Sequence, residues 1–179
     1  EYDGENDEHI WTNPKNAIRI INAIKTGFLQ IDAKNSNIFV QNAKEYIDKL
    51  IDLDQKISVV VEKSKRKILV FGDRFPLRYF VDQYKLKYYA AFLGCSEQTE
   101  ASGRTVAFLI DKVRAEKIPV IFKIEMSSGK IADTISKETG AKVLEFSSAH
   151  NISAEDFKKG VTYLDLMQKN VEVLEEALN

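Results

Sequence analysis

Cysteine is almost missing from the 179-residue sequence: Cys95 stands alone, so no intramolecular disulfide can staple the fold, and cysteine usage does not report the redox compartment. No apolar run approaches the roughly 20 residues that cross a membrane as a helix. The acidic opening Glu1-Tyr2-Asp3-Gly4-Glu5-Asn6-Asp7 is unlike a signal peptide, which leaves a cytosolic protein or one whose targeting sequence has been removed. Neither sign of charge is in excess. With 26 Lys and Arg against 27 Asp and Glu, the net charge of -1 gives no broad field for nucleic acid or an anionic membrane. Flexible Gly/Ser linkers, internal repeats and low-complexity tracts are also missing.

What is present suits a folded core: 44% hydrophobic and 30% charged residues, spread along a chain long enough for one domain or one lobe with connecting structure. Asn13-Pro14 reads as an N-cap followed by proline in the first helical turn. Ala17, Ile20, Ile21, Ile24 and Phe28 then recur at helical spacing and give an apolar stripe that needs a partner surface. A polar break at residues 32–37 precedes a second helical series through Phe39, Ala43, Tyr46, Ile47, Leu50, Ile57 and Val61. That single helix would span about 40 Å, enough for a strut between two lobes. The basic cluster Lys63, Lys65, Arg66 and Lys67 falls where this helix should end, and cations are favoured there by the helix dipole.

From Lys67 onward, short apolar runs alternate with helical segments. The runs are Ile68–Phe71, Tyr88–Phe92, Val120–Ile124 and Val143–Phe146, and the pattern predicts an α/β lobe with a roughly four-stranded parallel sheet flanked by helices. Tyr88-Tyr89 is read as strand packing, since no basic stripe accompanies it to make a base-stacking platform. Val106, Leu109, Ile110 and Val113 mark one crossover helix, and Ile131 and Ile135 another, stopped by Gly140. Ser153-Ala154-Glu155-Asp156 opens a last helix expected to carry Phe157, Val161, Leu164, Met167 and Val171.

Ligands of open parallel sheets bind outside the carboxyl ends of the strands. The residues to inspect are therefore Gly72-Asp73-Arg74, Gly94-Cys95-Ser96, Glu125-Met126-Ser127-Ser128 and Ser147-Ser148-Ala149-His150. The last group holds one of only two histidines; the other, His9, lies just before the first helix. Imidazole and carboxylate ligate zinc, manganese and iron, but this spacing of two histidines is not diagnostic. Ser127-Ser128-Gly129-Lys130 lacks the first glycine and the final Ser/Thr of a phosphate loop, which argues against a nucleotide site.

The segment from His9-Ile10-Trp11 to Pro14-Lys15-Asn16-Ala17 resembles the Asp-Pro-His-x-Trp signature of the zinc and manganese solute-binding family of bacterial ABC importers, with Glu8 in the proline position. The likeness continues through the long helix, Val70-Phe71-Gly72-Asp73, Tyr79-Phe80, Thr99-Glu100-Ala101-Ser102, Phe122-Lys123-Ile124-Glu125, Thr162-Tyr163 and Asn170. It implies that residues 1–33 are the tail of an amino-terminal lobe, 34–66 a long linking helix and 67–179 the carboxyl-terminal α/β lobe. It further implies no catalysis, but extracytoplasmic capture of zinc, with manganese or iron as other ions of the same chemistry. Delivery would be to an ABC transporter membrane permease, from the periplasm or from a lipoprotein at the cell surface. The rest of the amino-terminal lobe, with the family's first histidine ligand, has no counterpart in these residues.

By the same resemblance His9 is a metal ligand. The family's histidine before Asp-Ala-Phe matches Gly72, leaving Asp73 as the nearest donor, and its late aspartate falls near Ser148, two residues before His150. The expected metal ligands are thus His9, His150 and Asp73, with Glu125 and Glu100 as candidates to orient them. Each acid also has a structural reading: Asp73 as a cap of the helix holding Tyr79 and Phe80, Glu125 as a helix cap, and Glu100 as a partner of the next helix start. Cys95 reads as a small packing residue. Two other function classes stand beside this one: a metal-dependent hydrolase using the same cleft, with Asp73 or Glu125 as base, and a surface adhesin or scaffold that binds its partner without metal.

Overall fold

The computed structural model describes residues 7–92 and 101–179. Glu100 and Cys95 lie outside the described residues. A 3-10 turn, Ile10–Thr12, leads into helix α1, Pro14–Ile31, where the Asn13 side chain accepts from the Lys15 N–H and Pro14 occupies the first turn, as the sequence predicts. Helix α2, Ser36–Lys63, runs 28 residues, about 42 Å at 1.5 Å per residue. Beyond its end the basic residues satisfy carbonyls that helix termini leave orphaned. Lys67 Nζ donates to the Val61 carbonyl, and Arg66 reaches the Ala177 carbonyl of the last helix at 3.5 Å.

Strand β1 (Ile68–Phe71) leads to helix α3 (Arg78–Tyr84) and strand β2 (Lys87–Ala90). Helix α4 (Gly103–Ala115), strand β3 (Val120–Lys123), helix α5 (Lys130–Thr139) and strand β4 (Lys142–Glu145) complete the alternation. The four strands form one parallel sheet in the order β2-β1-β3-β4. Because side chains alternate across a strand, Leu69 and Phe71 enter a core with α2, α3 and the last helix, whereas Val70 enters a second core with α4 and α5. Phe71, Phe75, Phe80, Phe122 and Phe146 pack together on the first face. Tyr88, on edge strand β2, stacks on Phe75 with centroids 3.6 Å apart, the packing role expected of it.

The expected single last helix is two. Ser153 caps helix α6 (Ala154–Lys159), which stops at Gly160 in the left-handed conformation (φ 72°). Thr162 then opens helix α7 (Tyr163–Leu178) with a reciprocal capping box to Asp165. Gly160 as a C-terminal stop, followed at once by Thr-x-x-Asp, outweighs the helical spacing of the apolar residues. Phe157 is consequently 74% exposed, while Met167 and Leu174 are buried.

Gly72 follows β1 directly and faces Ala132 of α5 at close range. A Cβ there would lie 2.5 Å from Ala132 Cα and 2.6 Å from Ala132 N, so the α5 backbone excludes any side chain. The position where the resemblance implies a histidine therefore has no room for one.

Candidate metal centre

His9 and His150, 141 residues apart, meet at the carboxyl edge of the sheet, with Nε2 of His9 3.0 Å from Nδ1 of His150. His9 is 1% exposed and His150 lies open to solvent. The 3-10 turn after His9 fixes its backbone, because Thr12 donates to the His9 carbonyl through both N–H (3.2 Å) and Oγ1 (2.8 Å).

Asp7 fixes the ring. Its Oδ1 lies 2.8 Å from His9 Nδ1 and also accepts the His9 backbone N–H at 2.9 Å. A carboxylate only accepts, so Nδ1 carries the proton and the Nε2 lone pair faces His150. This carboxylate–imidazole arrangement is the one that orients and strengthens a metal-binding histidine. Among the described residues, the ligand atoms of Asp7, Glu8 and His9 lie within 4.8 Å of one another. Asp7 is not among the acids that the sequence singles out as ligands or orienting groups, although it stands at the aspartate position of the Asp-Pro-His-x-Trp signature, two residues before His9.

Glu125 follows β3 and gathers the loop that carries His150. Its carboxylate accepts from Ser148 N (2.8 Å), Ser148 Oγ (2.5 Å), His150 N (3.1 Å) and Asn151 N (3.3 Å). Met126 and Ala149, next to Glu125 and His150, hold left-handed backbone at φ 60° and 54°. Such conformations cost of order 1 kcal/mol for residues with a Cβ and persist where the surroundings impose them. Glu125 does not cap α5, whose N-cap is Gly129 without a side-chain bond. Ser148, itself buried, is held by the Glu125 carboxylate through both its N–H and its hydroxyl. Deeper in the lobe, Asn170 of α7 donates to the Ser147 carbonyl at 2.7 Å and accepts its N–H at 2.8 Å, fixing the start of the same loop.

Asp73 is buried at the carboxyl end of β1, and it does not cap α3, whose N-cap is Leu77. Its oxygens accept from Arg74 N at 2.8 Å and Ile124 N at 3.3 Å, joining the ends of β1 and β3. Trp11 joins the two histidine segments: its ring centroid lies 5.3 Å from that of His9 and 5.9 Å from that of His150, and its indole N–H donates to the Ser148 carbonyl at 3.0 Å.

The arrangement suits a small cation. Two nitrogens bound to one tetrahedral zinc at about 2.0–2.1 Å stand roughly 3.3 Å apart, so the imidazoles need to open by only a few tenths of an ångström. His150 would hold its remaining proton on Nε2 when Nδ1 ligates.

Relatives carry matching names. The high-affinity zinc uptake system protein ZnuA of Bacillus subtilis is 30% identical over 172 residues, which are 96% of this chain and 53% of that protein. The solved metal-dependent lipoprotein YcdH of B. subtilis is 30% identical with a TM-score of 0.86, covering 99% of this chain and 66% of its own. The Zn(II)-bound ZnuA-like domain of Streptococcus pneumoniae AdcA is 30% identical with a TM-score of 0.82, over the same shares. The chain thus spans about half to two thirds of these relatives. The family model for the periplasmic zinc-uptake complex component A matches residues 1–177, and the chain belongs to that ZnuA family.

Proposed function

We propose that this chain forms the carboxyl-terminal part of an extracytoplasmic binding protein that captures zinc and passes it to an ABC import permease. The observation that carries the reading is the His9–His150 pair, 3.0 Å apart, with Asp7 behind His9. The zinc-uptake name of the B. subtilis relative and the Zn(II)-bound AdcA domain support it. His9 Nε2 and His150 Nδ1 are taken as the first two ligands, and Asp73, at the carboxyl end of β1, as the third. Glu125 holds the His150 loop in place, and Glu100 acts as a further orienting acid. Manganese and iron are competing cargoes, since imidazole and carboxylate accept both.

Residues 1–33 are taken as the tail of an amino-terminal lobe, 34–66 as the linking helix and 67–179 as the carboxyl-terminal lobe. The hairpin of α1 and α2 supports this division. Its near end packs on the lobe through Ala17, Ile18 and Ile21, whereas Ile24, Phe28, Ile31, Ile38 and Val40 are exposed at the far end. A second lobe, supplied by sequence outside these residues, would cover that end and complete the ligand set.

Affinity falls on acidification, because imidazole must shed its proton to ligate. Zinc titration of the two-lobed protein, with His9→Ala and His150→Ala variants, tests the reading. Each variant is expected to bind at least tenfold more weakly. Unchanged stoichiometry and affinity in both would sink it.

A further inference from the structure

We infer that Tyr163 is a positioning residue for zinc capture, holding the His9 turn in register with the His150 loop through the Trp11 carbonyl. The inference rests on the proposed zinc site. Tyr163 is the first residue of α7, and the capping box fixes its backbone: Asp165 Oδ2 accepts from Thr162 N at 2.8 Å and from Thr162 Oγ1 at 2.6 Å. From there the Tyr163 hydroxyl donates to the Trp11 carbonyl at 2.7 Å, across 152 residues of sequence. Trp11 is thereby held at both ends, by α7 at its backbone and by the Ser148 carbonyl at its indole N–H.

The geometry matters because Trp11 lies two residues after His9 and its ring meets both imidazoles. His9 caps a 3-10 turn and His150 sits on a loop, and among the described residues no strand pairing ties the two segments together. Beside the direct contact of the two imidazoles, Trp11 is a second link between the segments, and Tyr163 ties it to a long helix rooted in the core through Met167 and Leu174. Burial, with a smaller contribution from Tyr46, holds the Tyr163 phenol well above its ordinary range, so it stays a donor at every pH where zinc binds. Without the hydroxyl, the fold keeps its core but the His9 turn gains freedom that zinc must then remove. A group bonded directly to a metal ligand is worth about 10–100-fold in metal affinity, and Tyr163, acting on the ligand's turn through Trp11, belongs at the low end of that range.

The test is a cycle of zinc affinities, measured by chelator competition in the two-lobed protein, for wild type, Tyr163→Phe, His9→Ala and the double variant. Tyr163→Phe is expected to weaken zinc binding about tenfold in the wild-type background and to have no effect in the His9→Ala background. Trp11→Phe, which removes the other end of the clamp, should show the same dependence on His9. Unchanged affinity in Tyr163→Phe, or equal losses in both backgrounds, would overturn the positioning role. If wild type itself binds no zinc, the proposed function fails and this inference with it, an outcome distinct from the other two.

Discussion

Replacing Gly72 tests whether this position can hold the histidine that the sequence resemblance implies. Gly72 is not among the glycines with positive φ, so what it supplies is space. A Cβ would stand 2.5 Å from Ala132 Cα and 2.6 Å from Ala132 N, both backbone atoms, where ordinary contact begins at 3.4 Å. Helix α5 would have to retreat by nearly an ångström, pulling Ala132 and Ile135 out of the core they fill with Val70, Leu109 and Ile121. Overpacking of this kind costs about 1–3 kcal/mol, and a rigid helix places Gly72→Ala toward the upper end. For a chain of this length about 2–4 °C of Tm is lost per kcal/mol, so thermal unfolding followed by circular dichroism should show a fall of about 5–10 °C. Gly72→His should be less stable still and should bind zinc no more tightly than wild type. A Gly72→Ala protein with unchanged Tm, or a folded Gly72→His protein with tighter zinc binding, would refute the packing argument.

Removing the carboxylate behind His9 with Asp7→Ala should weaken zinc binding by about 10–100-fold in competition titrations, with little change in Tm. Glu125→Gln replaces an acceptor-only group with one that presents N–H to N–H. Amide hydrogen exchange should accelerate at Ser148, His150 and Asn151, and zinc affinity should fall by about tenfold. Alkaline stability reports the buried phenols. Burial, then the Asp54 carboxylate that accepts from Tyr84 Oη at 2.8 Å, raises the Tyr84 pKa above the model-compound value of 10.0. The neutral form is favoured in the folded state, so this contribution is complete below about pH 10 and is lost as pH rises beyond it. Urea unfolding should therefore show stability falling above pH 10, and Tyr84→Phe should flatten that fall while costing about 1–2 kcal/mol at neutral pH.

Much of the fold was legible because local chemistry and periodicity agreed. Asn13-Pro14 started α1, the apolar series through Val61 drew α2, and four β-branched and aromatic runs gave the four parallel strands. The last helix failed where two signals competed: the apolar spacing ran on through Val161, but Gly160 and the Thr162–Asp165 box cut the helix in two. At the site, His9 and His150 could be singled out by residue type and resemblance, yet their closeness depends on a turn docking against a loop 141 residues away, which no local pattern encodes. The same holds for Tyr163 and Trp11, where an ordinary phenol and an ordinary carbonyl matter only through tertiary placement. Gly72 read as a missing ligand until the approach of Ala132 gave its reason. Asp73 had two readings; the capping one failed because α3 begins at Arg78, too far along the chain, and the carboxylate instead spans the ends of β1 and β3.

The central claim is that one zinc ion is held jointly by His9 and His150. Anomalous diffraction at the zinc edge from crystals of the two-lobed protein grown with equimolar zinc addresses it directly. The account predicts a single strong peak about 2.0–2.1 Å from both His9 Nε2 and His150 Nδ1. A fully occupied zinc whose ligands include neither histidine, or only one of them, would contradict it.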